Sequence, residues 1–147
     1  MKEIFCLILM LCSILGPHKR SKPANLPIIW DQTKEWKLYY TQSKEAFALP
    51  LDSLRGIKSI DFEQDSISLF LRGVTEIPTE RAPVWMGYFV CSCKLPDGKL
   101  LKIEVSQYGR FFFEEGERRY FQLNRSVQDS WQNYLNAKWM QLESISK

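Results

Sequence analysis

Between residues 84 and 106 the hydrophobic and polar positions alternate in a pattern that one hairpin register reconciles. The stretch VCSCKLPDGKLLKI, residues 90–103, carries Pro96-Asp97-Gly98 at its centre. Proline at the first turn position, aspartate at the second and glycine at the left-handed position fit a three-residue hairpin loop. That loop sets Cys93 opposite Leu101, Cys91 opposite Ile103 and Phe89 opposite Val105. The other row pairs Ser92 with Lys102 and Val90 with Glu104. One row is apolar and the other mostly polar, as a half-buried antiparallel sheet requires.

A second hairpin is expected where residues 111–113, three phenylalanines, and residues 119–123 flank a glutamate-rich turn with Gly116. Ser126-Val127-Gln128-Asp129 then resembles a capping box that opens a helix over about 127–143. Val127, Trp131, Leu135, Trp139 and Leu142 share one stripe of it at spacings of three and four. In the N-terminal half, residues 36–42 alternate as a first strand. Residues 47–51 end at Pro50-Leu51 and read as an edge strand or loop. Asp52-Ser53 suits a short helical turn stopped at Gly56. Residues 66–72 fit either a strand or a helix; the helix is favoured, with Asp65 as its cap and Gly73 as its stop. Residues 75–83, with Pro78 and Pro83, read as a loop. The fold class expected is α+β: an antiparallel β-meander sheet packed against a C-terminal α-helix.

The N-terminus follows a different pattern. Residues 4–15 form an apolar run of the length of a secretory signal core and too short to span a bilayer, which needs about 20 residues. Residues 1–20 are thus expected to be a signal-like or anchor leader, 21–34 a linker with Pro23 and Pro27, and 35–147 a single domain. Glu3 dilutes the positive start of a signal, and Lys19, Arg20 and Lys22 directly after the run oppose translocation. Cys12 is the alternative: a lipid attachment point that would tether the chain to a membrane, although Leu11 before it is not small. The expected location is extracytoplasmic, with a cytoplasmic location as the alternative.

Charge narrows the partners. The 147 residues carry a formal charge of +3, but the body from Ser21 onward holds 17 basic and 16 acidic residues, well mixed. Nucleic-acid binders cluster their basic charge on one face, so a nucleic acid is not the expected partner. Aromatic residues make up 14% of the chain. Trp85, Tyr88, Tyr108, Phe111, Phe112, Phe113, Trp131, Tyr134 and Trp139 exceed what one sheet-and-helix core must hold. Either a two-sided core closed by residues 36–75 absorbs them, or some are exposed. Because neighbours in a strand alternate faces, at least one of Phe111, Phe112 and Phe113 lies opposite the others. Tyr108, Phe111, Phe112 and Phe113 are therefore the candidate face for a protein partner.

Little else points to chemistry. The single histidine, His18, lies in the leader, which removes the usual general base for a serine or cysteine nucleophile. Cys91 and Cys93 share the apolar face with Cα atoms roughly 6.5–7 Å apart, at the limit of a relaxed disulfide. Two thiols fall short of the four ligands of a structural zinc site, so they read as small core residues, and no metal or cofactor is expected. Asp61, Glu63 and Asp65 alternate like a calcium loop, but the sixth position is Ser66 and the twelfth Arg72, where glycine and glutamate belong. Asn124-Arg125-Ser126 matches a glycosylation acceptor, with Ser126 already used as a helix cap. The expectation is a small non-enzymatic, exported or membrane-tethered protein-interaction module. The alternatives are a cytosolic inhibitor or immunity-type protein, to which two unpaired thiols are suited, and a hydrolase using carboxylates among Glu104, Glu114, Glu115 and Glu117.

Overall fold

The computed structural model describes residues 27–41, 45–83 and 87–147. The leader, Cys12 and Trp85 lie outside the described residues. Seven strands form one antiparallel sheet: β1 (Lys34–Tyr39), β2 (Ser59–Asp61), β3 (Thr75–Ile77), β4 (Gly87–Lys94), β5 (Leu100–Ser106), β6 (Phe111–Glu114) and β7 (Arg119–Gln122). Their spatial order is β2-β1-β4-β5-β6-β7-β3. The consecutive run β4 to β7 is the expected meander. Among the described residues, three α-helices accompany it: α1 (Glu45–Ala48), α2 (Gln64–Leu71) and α3 (Gln128–Ser146).

The central hairpin has the register its turn dictates. Cys93 faces Leu101, Cys91 faces Ile103 and Phe89 faces Val105, with Ser92 on Lys102 and Val90 on Glu104 in the alternate row. Gly98 takes the left-handed conformation at φ 89°. Its N–H donates to the Leu95 carbonyl at 2.9 Å, and Leu95 N–H donates to Lys99 at 2.8 Å, which closes the loop.

One sheet face carries the main core. Leu38, Phe89, Cys91, Cys93, Leu101, Ile103, Val105, Phe112 and Phe121 lie along it, and Trp131, Leu135 and Leu142 of α3 pack on them with Ile67 and Leu71 of α2. Trp30, within the stretch read as linker, is buried here as well, edge-on to Phe121 at 4.7 Å. Domain packing thus begins before β1. The second face is covered too. Leu54 is buried against Tyr39 and Val90, with Phe47, Leu49, Leu51 and Ile57 packed around them. Ser92, Lys102 and Glu104, the row that reads as the solvent side of a half-buried sheet, are consequently buried.

Several local expectations need correction. Residues 47–51 form no strand: they are the end of α1, a loop at Leu49-Pro50 as the alternative reading has it, and the start of a 3-10 turn, Leu51–Gly56, since Pro50 withholds a ladder N–H while its fixed φ suits a helical start. Helix α2 forms as expected and Gly73 follows it at φ 76°, but its cap position is Glu63, without a side-chain cap bond. The stretch 75–83 includes β3, which pairs with β7. Ser126 does not cap α3. Instead the Asn124 carboxamide oxygen accepts from Ser126 N–H at 3.0 Å and from its hydroxyl at 2.9 Å, which closes a 3-10 turn ahead of the helix.

Candidate functional site

The four aromatics expected to form one face do not share it. Phe112 is fully buried, with Trp30 at 5.8 Å and Trp131 at 6.0 Å. It is a core residue and is not available to a partner, because β6 turns every second side chain toward α3. Phe111 and Phe113 point to the opposite face and are half-buried. Phe113 packs on Tyr120 at 4.8 Å, and the Arg110 guanidinium lies 5.0 Å over the Phe111 ring. Tyr108 alone stands clear, 63% exposed in the turn between β5 and β6.

That turn has a neighbour in Tyr88, which is 48% exposed. Gly87 lies opposite Ser106, so the start of β4 and the β5–β6 turn meet at one end of the sheet. The hairpin register alone does not give this pairing: it shifts between Gly87 and Phe89, so Gly87 meets Ser106 where an unbroken register would set it opposite Gln107. Both tyrosines sit on fixed supports. Gly109 N–H donates to the Ser106 carbonyl at 2.8 Å, Phe111 N–H donates to the Ser106 hydroxyl at 3.1 Å, and the Trp131 indole donates to the Gly109 carbonyl at 2.9 Å. Tyr88 meets Phe89 edge-on at 4.7 Å, and Phe89 in turn meets Trp139 at 5.5 Å. An exposed tyrosine on a rigid turn offers apolar area and a hydroxyl at small entropic cost, which is what a protein contact uses.

The titratable groups serve the fold. Cys91 and Cys93 are free and buried, and burial pushes both thiols far above their ordinary range. Asp61, Glu63 and Asp65 do not converge. Asp61 pairs with Lys37 at 2.6 Å, and Asp65 is exposed in the first turn of α2. Glu63 binds across to α3: Lys138 donates to it at 2.5 Å, and the Tyr134 hydroxyl donates to its other oxygen. Lys138 occupies a core-stripe position, buried, with its ammonium also on the Asp61 carbonyl at 3.2 Å. Among the described residues, no three metal-type side chains come together.

The bonds to Lys138 and Tyr134 hold the Glu63 carboxyl at about 2, below its ordinary 4.5. Burial raises Tyr134 to about 12, assisted by its bond to Glu63. Since the folded value of Glu63 lies below the unfolded one, its contribution is complete above about 4.5 and is lost as the pH falls toward about 2. The Glu63 side chain is 60% exposed, so the effect is modest. Acid unfolding followed by tryptophan fluorescence should show this loss, and Glu63→Gln should flatten the profile over that interval. An unchanged acid limb in Glu63→Gln would contradict the assignment.

The carboxylates weighed for hydrolysis divide between the two faces. Glu114, opposite Ile103, is buried on the α3 side. It accepts from Gly116 N–H at 2.8 Å and Glu117 N–H at 3.0 Å, tightening the β6–β7 turn. Glu104 is buried on the other face, Glu115 pairs with Lys102 at 2.9 Å, and Glu117 is exposed at the turn. Burial of Lys102, Glu104, Glu114 and Lys138 could not be read from sequence, where charged residues signal solvent. No family model matches the chain, and neither a curated protein nor a solved structure matches it.

Proposed function

We propose that this chain is a small non-enzymatic protein-interaction module, exported or tethered at a membrane, that binds another protein through the Tyr88–Tyr108 end of its sheet. The observation that carries the reading is that two exposed tyrosines lie at the same end of the β4–β5 pair, where Gly87 faces Ser106. Buried aromatic anchors of this kind dominate binding energies, and tyrosine is enriched among them. Phe111, half-buried on the strand that leaves the same turn, extends the apolar contact. The apolar leader at residues 4–15 supports export. Two unpaired thiols favour a cytosolic inhibitor or immunity-type protein instead. Their complete burial, however, shields them from oxidants and makes them compatible with an oxidising compartment.

The double variant Tyr88→Ala/Tyr108→Ala tests the reading. Exposed side chains contribute within about 0.5 kcal/mol to folding, so its urea midpoint should match that of the wild type. Its complex with the native partner should be lost on native gels of host fractions. A variant that unfolds normally and still migrates in the wild-type complex would refute this contact surface.

A further inference from the structure

We propose that residues 47–57 form a strap that opens as a unit while the rest of the fold stays intact. Three observations converge on it. Its apolar residues make their own small cluster, Leu54 with Phe47, Leu49, Leu51 and Ile57 on Tyr39 and Val90, on the sheet face away from the main core. Its backbone fastens to itself: Ser53 N–H donates to Pro50 at 2.9 Å and Ile57 N–H to Leu54 at 3.0 Å. Among the described residues, no backbone bond joins 47–57 to the sheet. A side chain of the sheet does that work. The Lys102 ammonium, on β5, donates to the Phe47 carbonyl at 2.5 Å and the Leu49 carbonyl at 2.7 Å. It also pairs with Glu115 at 2.9 Å, with only 2% of the side chain exposed.

The floor beneath the strap makes opening inexpensive. Tyr39 and Ser92 share a hydroxyl–hydroxyl bond at 2.9 Å, and Lys102 and Glu104 stand beside them on the same face. When the strap lifts, water solvates these groups, so the open state leaves no buried polar atom stranded. Regions with small apolar contact and few backbone bonds to their surroundings are the ones that open locally. The open form presents two hydroxyls, an ammonium and a carboxylate together on one sheet face, which the closed form hides.

Native-state hydrogen exchange on the full chain, with urea added below the unfolding transition, tests this. In the wild type, the Ser53 and Ile57 amides should exchange at least about tenfold faster than the β5 amides, with a smaller dependence on urea, because less surface is exposed. Leu135→Ala weakens the other face only. It should speed the β5 amides by about a hundredfold and leave Ser53 and Ile57 within about threefold. Lys102→Met should speed Ser53 and Ile57 by about tenfold to a hundredfold, the effect of hydrogen bonds to a charged group. Strap amides that follow β5 in Leu135→Ala would overturn the proposal. If that variant fails to fold, the wild-type urea dependence decides: equal slopes for the strap and β5 would also overturn it.

Discussion

Trp131→Ala should lower the unfolding free energy by about 4 kcal/mol, within the range for a fully buried tryptophan. Trp131 is the hub where the sheet, α2 and α3 meet. Its ring stacks on Phe62 at 5.9 Å and contacts Phe70 at 5.5 Å and Phe112 at 6.0 Å. Its indole N–H is also the donor that satisfies the Gly109 carbonyl. Truncation leaves a cavity and removes that bond together. Domains of this size have about 5–15 kcal/mol in total, so the variant should be marginal at 37 °C. Urea unfolding is the measurement, with Met140→Ala as control; Met140 is 70% exposed on the outer face of α3 and should change stability by less than about 0.5 kcal/mol. A loss below about 1.5 kcal/mol in Trp131→Ala would mean that the helix is not seated on the sheet in this way.

Gly109→Ala should cost about 3 kcal/mol, from two separable causes. Gly109 has φ 68°, where a Cβ is disfavoured by roughly 1–2 kcal/mol. An added methyl would also lie 2.8 Å from Trp131 Cδ1 and Nε1, and neither the indole nor the turn has room to give. Gly98→Ala provides the comparison, since Gly98 has φ 89° and nothing within 4 Å of its would-be Cβ. It should show the backbone cost alone, about 1 kcal/mol. In a Trp131→Ala background the clash disappears, so Gly109→Ala should then fall to about the same 1 kcal/mol, a coupling typical of touching residues. Equal effects of the Gly109 and Gly98 substitutions in the wild-type background would contradict the close packing of the turn on α3.

What the sequence made legible was the part governed by local rules that agree. At the β4–β5 hairpin, turn chemistry and side-chain alternation independently demand one register, and the structure has it. The stripe from Trp131 to Leu142 is legible from its spacing of three and four, and the β6–β7 hairpin from its two aromatic segments about a glutamate-rich turn, although its register is not fixed by sequence. The rest depended on contacts distant in sequence. Strands β2 and β3 are three residues each, too short for any periodicity, and exist because β1 and β7 offer them an edge. Trp30 follows two prolines and reads as linker, yet a pocket among Trp36, Phe112 and Phe121 receives it.

The candidate site was half legible. Tyr108 is legible as a candidate, whereas Tyr88 stands out only as one of the surplus aromatics. Alternation says that three consecutive phenylalanines divide without saying which way, so Phe112 reads together with its neighbours. The charged residues misled in the opposite direction. Lys102 and Lys138 are buried because backbone carbonyls and one carboxylate each replace water around the ammonium, and no local pattern announces that.

The reading of this protein as a rigid scaffold presenting Tyr88 and Tyr108 is tested most directly by photocrosslinking in its native cells. A photoreactive phenylalanine analogue in place of Tyr108, in the full chain, should give a discrete protein adduct. The same residue in place of Met140, which is comparably exposed but on the outer face of α3, should give none. An adduct from the Met140 position with none from the Tyr108 position would contradict the account and move the interaction surface to the helix.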